Sequence, residues 1–409
     1  MSKPCVWIDA TSSNAGIIVW GMTLVERQIR EFSLLGIESF KVFLCSDELH
    51  RIGQLREDFN RLYSVEIIWA CVPDAQSFWT AVGEANEPLL LVAGDTIYDD
   101  RVISYTLNNG PGVMICTESR AVCYTDVDLG EKFFDAKSNS WELLEEKVSL
   151  PVVLRPQDLD LYIPSLRLKM PAFISKVSDG LSAKKIENRM FRRTFKGVID
   201  FVARYGYYHL VRWLTRRVIN KGTTPNTYTV MSVLCVWMAS PFIGAGWIGT
   251  GLTLAWFGVI LDSLDGKLAR LRLHLSDSMG KFEHVAAAPG LALWFVSIGW
   301  YLSGGKFSID SSQTLITFSV ILLFVLDKIC SGLFSYYAGR ELFDYERMDA
   351  IFHLFAARRN FALVTFSIGA LGGCLAQSFA VFLGLMATTF VVHVLRAGWI
   401  LKKSLFNSR

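Results

Sequence analysis

The chain predicts two fold classes in series: an α/β domain with a mostly parallel sheet, then an all-α domain of six transmembrane helices. Three observations predict this. Short apolar strands alternate with helical stretches over residues 1–165. Beyond Pro225 the chain is dominated by apolar runs near the ~20 residues that a spanning helix needs. Lys and Arg are segregated among the connections between those runs. A length of 409 residues leaves room for two or three domains, and 52% hydrophobic against 19% charged residues is high for a soluble protein. The expected boundaries are 1–165 for the α/β domain, 166–222 for a linker with an amphipathic juxtamembrane helix, and 223–409 for the membrane domain.

In the first part, Val6–Ala10 reads as a strand, Thr23–Leu35 as a helix and Ser39–Cys45 as a strand. A helix near 48–61 follows, then strands at Val65–Val72 and Pro88–Ala93. The last of these runs into Gly94-Asp95, which places Asp95 at a carboxyl end of the sheet. A metal or nucleotide sits at that edge in many such folds, although a plain strand-end carboxylate fits equally.

From Asn188 to Lys221, cations including Arg189, Arg192, Arg193, Lys196, Arg204, Arg212, Arg216 and Arg217 interleave with aromatic and aliphatic residues such as Phe201, Tyr205 and Trp213. That mixture suggests a helix lying along the inner membrane surface. The six apolar runs are 226–244, 247–264, 284–303, 313–337, 360–377 and 379–401. Alternate connections hold Lys267, Arg270, Arg272 and Lys281, then Arg340, Arg347, Arg358 and Arg359, with Lys402, Lys403 and Arg409 at the end. This bias predicts an inner-membrane protein with both termini cytoplasmic. The N-terminal residues lack the apolar region of a signal peptide, so insertion is expected to use the later helices. A net charge of +3 gives no nucleic-acid footprint, and the eight scattered cysteines have no metal-ligand spacing and read as reduced thiols.

The chemistry concentrates in Asp262-Ser-Leu-Asp265-Gly266-Lys-Leu-Ala269-Arg270, at the end of the second apolar run. Two acids at this spacing share one helix face. Gly266 and Ala269 remove side-chain bulk beside them, and Arg270 offers a phosphate-binding fork. Ionisable residues at a membrane helix end are costly and mark function. Carboxylates, small residues and an arginine suit a divalent metal with a diphosphate. Two acids at a helix end are otherwise caps or partners for Lys267 and Arg270.

This stretch resembles the CDP-alcohol phosphotransferase signature, Asp-x-x-Asp-Gly-x-x-Ala-Arg, a gap of about eight, then Gly-x-x-x-Asp-x-x-x-Asp. Asp262, Asp265, Gly266, Ala269 and Arg270 match five fixed positions. In the register with a gap of eight, Met279 replaces the glycine, Glu283 the third acid and Ala287 the fourth. A one-residue insertion would instead use Gly280 and put His284 and Ala288 in the acids' places; the first register keeps a carboxylate at Glu283.

The resemblance implies metal binding (Mg²⁺ or Mn²⁺) by Asp262, Asp265 and Glu283. It implies CDP binding by Gly266, Ala269 and Arg270, and by Asn226 of the Pro225-Asn226 pair that opens the first span. The family's last acid is its general base; with alanine there, Glu283 or His284 is the candidate. The implied partners are a CDP-linked donor (CDP-diacylglycerol or a CDP-polyol), a hydroxyl acceptor, the lipid bilayer and a second copy in a homodimer. The alternative is a catalytically impaired membrane protein that keeps the CDP and metal pocket for binding or scaffolding. A transporter fits less well, because the acids lie at the membrane edge.

The first domain resembles sugar-phosphate nucleotidyltransferases over Gly21-Met-Thr-Leu-Val-Glu26-Arg27-Gln-Ile-Arg30, Leu35-Gly36-Ile37 and Val92-Ala-Gly-Asp95. Its first strand, however, leads into Asp9-Ala-Thr-Ser-Ser-Asn-Ala-Gly16, without that family's glycine series and basic residues. Too few free amides and no cation remain there to hold a triphosphate, so nucleotidyl transfer is not expected. Weaker candidates are Arg358-Arg359 for an acceptor phosphate, a headgroup or membrane anchoring, and Asp327-Lys328 as a self-neutralising pair. His393 reads as a packing residue.

Overall fold

The computed structural model describes residues 4–85, 87–125, 140–147, 150–163, 168–195 and 197–407. Lys196 and Arg409 lie outside the described residues. The chain divides into two compact units. The first comprises residues 1–194 with 219–222 and 270–274; the second holds 195–218, 223–269 and 275–409.

The first unit is built on a seven-stranded mixed sheet. Its strands are β1 (Cys5–Asp9), β2 (Ser39–Cys45), β3 (Glu66–Val72), β4 (Leu89–Ala93), β5 (Val113–Cys116), β6 (Ala121–Tyr124) and β7 (Val152–Leu154). They lie in the order β7-β5-β6-β4-β1-β2-β3. All neighbours are parallel except β6, which runs against both β4 and β5. The apolar runs that announced β1 and β4 are buried throughout their length, as strands covered on both faces must be. The helix expected near 48–61 is two short turns, Leu49–Ile52 and Phe59–Leu62, with Gly53 ending the first.

Helix α1 (Leu24–Leu34) starts where the Thr23 hydroxyl accepts from the Glu26 amide. Most of its face is buried, charges included. Arg30 is held between Glu26 and Asp58 at 2.7 Å each. Glu31 has only Arg27 at 3.8 Å, and burial raises its carboxyl from 4.5 to about 8, with Arg27 opposing the rise and Asp100 adding to it. The folded state therefore keeps this proton over a range where the unfolded chain has lost it, so stability falls as pH rises from about 4.5 to about 8. Glu31→Gln is expected to leave thermal unfolding nearly unchanged at pH 4.5 and to raise the midpoint by several degrees at pH 8. Equal shifts at both pH values would contradict this.

Helices α2 (Ala75–Gly83), α3 (Asp100–Asn109) and α4 (Gly180–Arg193) complete the first unit's long helices. The basic stretch expected as one surface helix is interrupted. Helix α4 ends at Arg193, a π-helical segment covers Val202–Gly206, and α5 (Tyr208–Val218) follows. On α5, Val211, Thr215 and Val218 face inward, while Leu210 and Trp213 are exposed.

The second unit contains α6 (Pro225–Gly244), α7 (Ile248–Leu271, whose last two residues count with the first unit), α8 (Asp277–Leu302) and α9 (Ser312–Ala338). After these come α10 (Arg347–His353), α11 (Arg359–Leu371) and α12 (Leu375–Asn407). Five of them, α6, α7, α8, α9 and α12, are long and apolar enough to cross a membrane. The sixth expected span is a correction. Helix α11 has 13 residues, because the chain breaks at Gly372-Gly373, where Gly373 has φ +66°. Hydropathy alone joined residues that this break separates.

The helices pack through small residues. A Cβ on Gly299 would overlap the Thr317 side chain, and one on Gly369 would overlap Ser378. Phe295 lies at the centre of the bundle, with ring centroids 5.8 Å from Phe324, 6.3 Å from Phe366 and 5.3 Å from Phe382. Leu322, Phe318 and Val381 stay exposed on its outside, as expected where lipid is the solvent.

Candidate active site

The signature acids occupy the last turns of α7, where the apolar run gives way to polar residues. Asp262 is the hub. Its Oδ2 accepts from Arg359 Nη2, and its carboxyl group is within hydrogen-bonding reach of Glu283 on α8. Asp265 is buried on the same face of α7 and lies within electrostatic range of Glu283. Its Oδ1 accepts from the Gly266 amide. Residues of three helices, α7, α8 and α11, thus lie within hydrogen-bonding or electrostatic range of one another.

Arg359 is the first residue of α11. A cation at a helix N-terminus is disfavoured by the helix dipole, so a facing acid is needed to hold it there. The next residue, Asn360, extends the polar cluster. Its Nδ2 donates to Asp200 Oδ2 at 2.7 Å and to the Tyr207 hydroxyl at 3.1 Å. The Ser263 hydroxyl donates to the same Tyr207 oxygen at 3.3 Å, which ties this network to the signature helix. Sequence reasoning missed Asp200, Tyr207 and Asn360. They lie up to 160 positions apart, and only the adjacency of Asn360 to Arg359 gave any hint.

The remaining expected residues divide. Gly266 and Ala269 follow the acids along α7, as the spacing required. Arg270 belongs to the first unit, where its Nη1 donates to the Thr194 carbonyl at 2.9 Å. Asn226 is half-buried in the first turn of α6 and makes no side-chain hydrogen bond among the described residues. Glu283 lies within hydrogen-bonding reach of Asp262, and the His284 side chain lies outside the described residues. Ala287 sits one turn beyond Glu283 on α8 and offers no acid.

Hard oxygen donors in this number suit Mg²⁺ or Mn²⁺. Among the described residues no group of three ligating side chains is drawn together into a metal cage. Arg359 already takes one oxygen, Oδ2, of Asp262. The donor chemistry fits a divalent ion, with Arg359 as its competitor.

Residues 222–395 match the family model described as CDP-alcohol phosphatidyltransferase. This part of the chain matches a CDP-alcohol phosphatidyltransferase domain. No curated protein matches the sequence. Solved structures similar to the chain include a Mycobacterium tuberculosis phosphatidylinositol phosphate synthase with CDP-DAG bound. It is 16% identical, covers 46% of this chain and 94% of its own, and has a TM-score of 0.36. A putative glucose-1-phosphate thymidylyltransferase from Bacillus anthracis is 8% identical over 46% of this chain and 94% of its own, with a TM-score of 0.33. The inositol-1-phosphate CTP transferase from T. maritima is 13% identical over 48% of this chain and 99% of its own, at 0.32.

Beside the phosphatidyltransferase domain, the α/β unit has its own strand-end acids. Asp9 ends β1, where Trp141 Nε1 donates to it at 2.7 Å and the Thr11 hydroxyl at 2.7 Å; burial pushes its carboxyl upward. Asp95 follows β4 and is gripped by Arg120, Nε to Oδ1 at 2.7 Å and Nη2 to Oδ2 at 2.5 Å. A guanidinium therefore takes both carboxylate oxygens at the edge where a metal or nucleotide was one of two expectations.

The weaker candidates also resolve. Asp327 accepts from or shares a proton with His393 Nδ1 at 2.6 Å, in place of the expected pairing with Lys328. Lys328 instead lies 5.7 Å from the Phe324 ring centroid. Arg358 turns to His353, away from the partner that Arg359 takes.

Proposed function

We propose that the phosphatidyltransferase domain transfers a phosphoalcohol from a CDP-linked donor to a hydroxyl acceptor and releases CMP. The convergence of Asp262, Asp265 and Glu283 within a domain matched to this family supports the reading. In the reaction the acceptor oxygen bonds to the β-phosphorus, the bond from that phosphorus to the bridging oxygen breaks, and CMP leaves. A divalent ion held by Asp262, Asp265 and Glu283 would neutralise charge on the diphosphate. Gly266 and Ala269 leave room for the nucleotide along α7. The acceptor proton goes to Glu283 or His284, the two candidates left where alanine replaces the family's last acid; a missing positioned base would lower the rate by ~10²–10⁴-fold. The donor is CDP-diacylglycerol or a CDP-polyol, reached from the cytoplasmic face of an inner membrane by a homodimer.

A second reading has a specific observation behind it. Alanine at 287 and Arg359 on Asp262 suit a domain that binds CDP without turning it over. Purified protein in detergent, incubated with Mn²⁺, radiolabelled CDP-diacylglycerol or CDP-inositol and a panel of hydroxyl acceptors, decides between them. CMP release that disappears in Asp265→Asn is the expected result. Metal-dependent CDP binding with no CMP from any donor would favour the binding protein.

A further inference from the structure

The charge around the signature acids does not leave the site open. Asp262, Asp265 and Glu283 bring up to three negative charges to neighbouring turns of α7 and α8. Two cations stand near them. Lys267 lies within electrostatic range of Asp262, and it also donates to the Ser263 carbonyl at 3.1 Å with its ammonium 4.1 Å from the Phe195 ring centroid. Arg359 is ion-paired with Asp262 through its Nη2. Its neighbour Arg358 contacts His353. The dipole of α11 disfavours a guanidinium at its first residue unless an anion faces it, so Asp262 and Arg359 hold each other in place.

We propose that Arg359 is the resident counter-cation of Asp262, and that a divalent metal enters only by displacing it, so that Arg359 sets the metal affinity of the site. The inference rests on reading the acids as a divalent-metal site. A carboxylate cannot give the same oxygen fully to a guanidinium and to a divalent ion, and the two cations repel at this distance. Displacement also frees the Arg359 fork for an anion, so metal entry and phosphate binding are coupled through one side chain.

The test is the Mn²⁺ dissociation constant of the full-length protein in detergent, read by electron paramagnetic resonance of the free ion. Arg359→Gln is expected to bind Mn²⁺ at least about tenfold more tightly than the unmodified chain. Arg358→Gln is expected to stay within about twofold of the unmodified chain, because its guanidinium does not touch the acids. If Arg359→Gln and the unmodified chain bind alike, the proposal is overturned and the metal site stands. If neither binds, both fall. If only Arg359→Gln binds, the counter-cation proposal holds while metal-dependent turnover by the natural chain does not. Should Arg359→Gln elute as aggregate, Arg359→Lys keeps the charge but loses the planar fork; tightening of smaller size is then expected, and none would overturn the proposal.

Discussion

Asp262→Asn is expected to reduce CMP release by about 10²–10³-fold or more and, separately, to destabilise the membrane domain. The first effect follows from removing the acid that would carry the charge of a metal facing the diphosphate. The second has nothing to do with catalysis. Arg359 would remain at the start of α11, largely covered and without its anion, and breaking such a pair from one side costs about 3–5 kcal/mol. The double variant Asp262→Asn with Arg359→Gln separates the two. It is expected to recover most of the lost thermal stability while CMP release stays at the level of the single variant. Recovery of turnover together with stability would show that Asp262 matters only as a structural partner.

The other large effect is expected far from the signature. Arg120→Ala leaves Asp95, 2% exposed, without the guanidinium that grips both of its oxygens. Only the Thr96 hydroxyl, 3.0 Å from Oδ1, remains among its side-chain hydrogen-bond donors. A loss of about 3–5 kcal/mol is expected, or roughly 10 °C in the unfolding midpoint of a domain of this size. Adding Asp95→Asn removes the orphaned charge and is expected to restore a large part of that loss. CMP release at temperatures below the transition should be little changed by either variant. If Arg120→Ala unfolds like the unmodified chain, Arg120 is not the counter-ion of Asp95 in solution.

Both results bear on how the two halves differ. In the membrane domain, Arg359 on Asp262 leaves two further carboxyl groups, Asp265 and Glu283, within electrostatic range of each other. At the strand ends of the α/β unit, Arg120 takes both oxygens of Asp95, and Asp9 is already satisfied by Trp141 and Thr11.

The sequence by itself determined the pieces that depend on local pattern. Apolar runs placed β1 through β4 to within a residue or so, and β1 and β4, buried almost throughout, show why such strands must be apolar along their length. Spacing put Asp262, Asp265, Gly266 and Ala269 along one helix end, since three- and four-residue separations fix a helical face. What the tertiary structure alone decided were partnerships between residues distant in sequence. Arg359 meets Asp262 across 97 positions, Asn360 meets Asp200 across 160, and Arg270 donates to the Thr194 carbonyl across 76. Periodicity carries no information about which charge will face which once helices pack, because that choice depends on desolvation and reach in three dimensions. The same limit explains α11: hydropathy sees an apolar run, but only the backbone at Gly372-Gly373 shows where the helix stops.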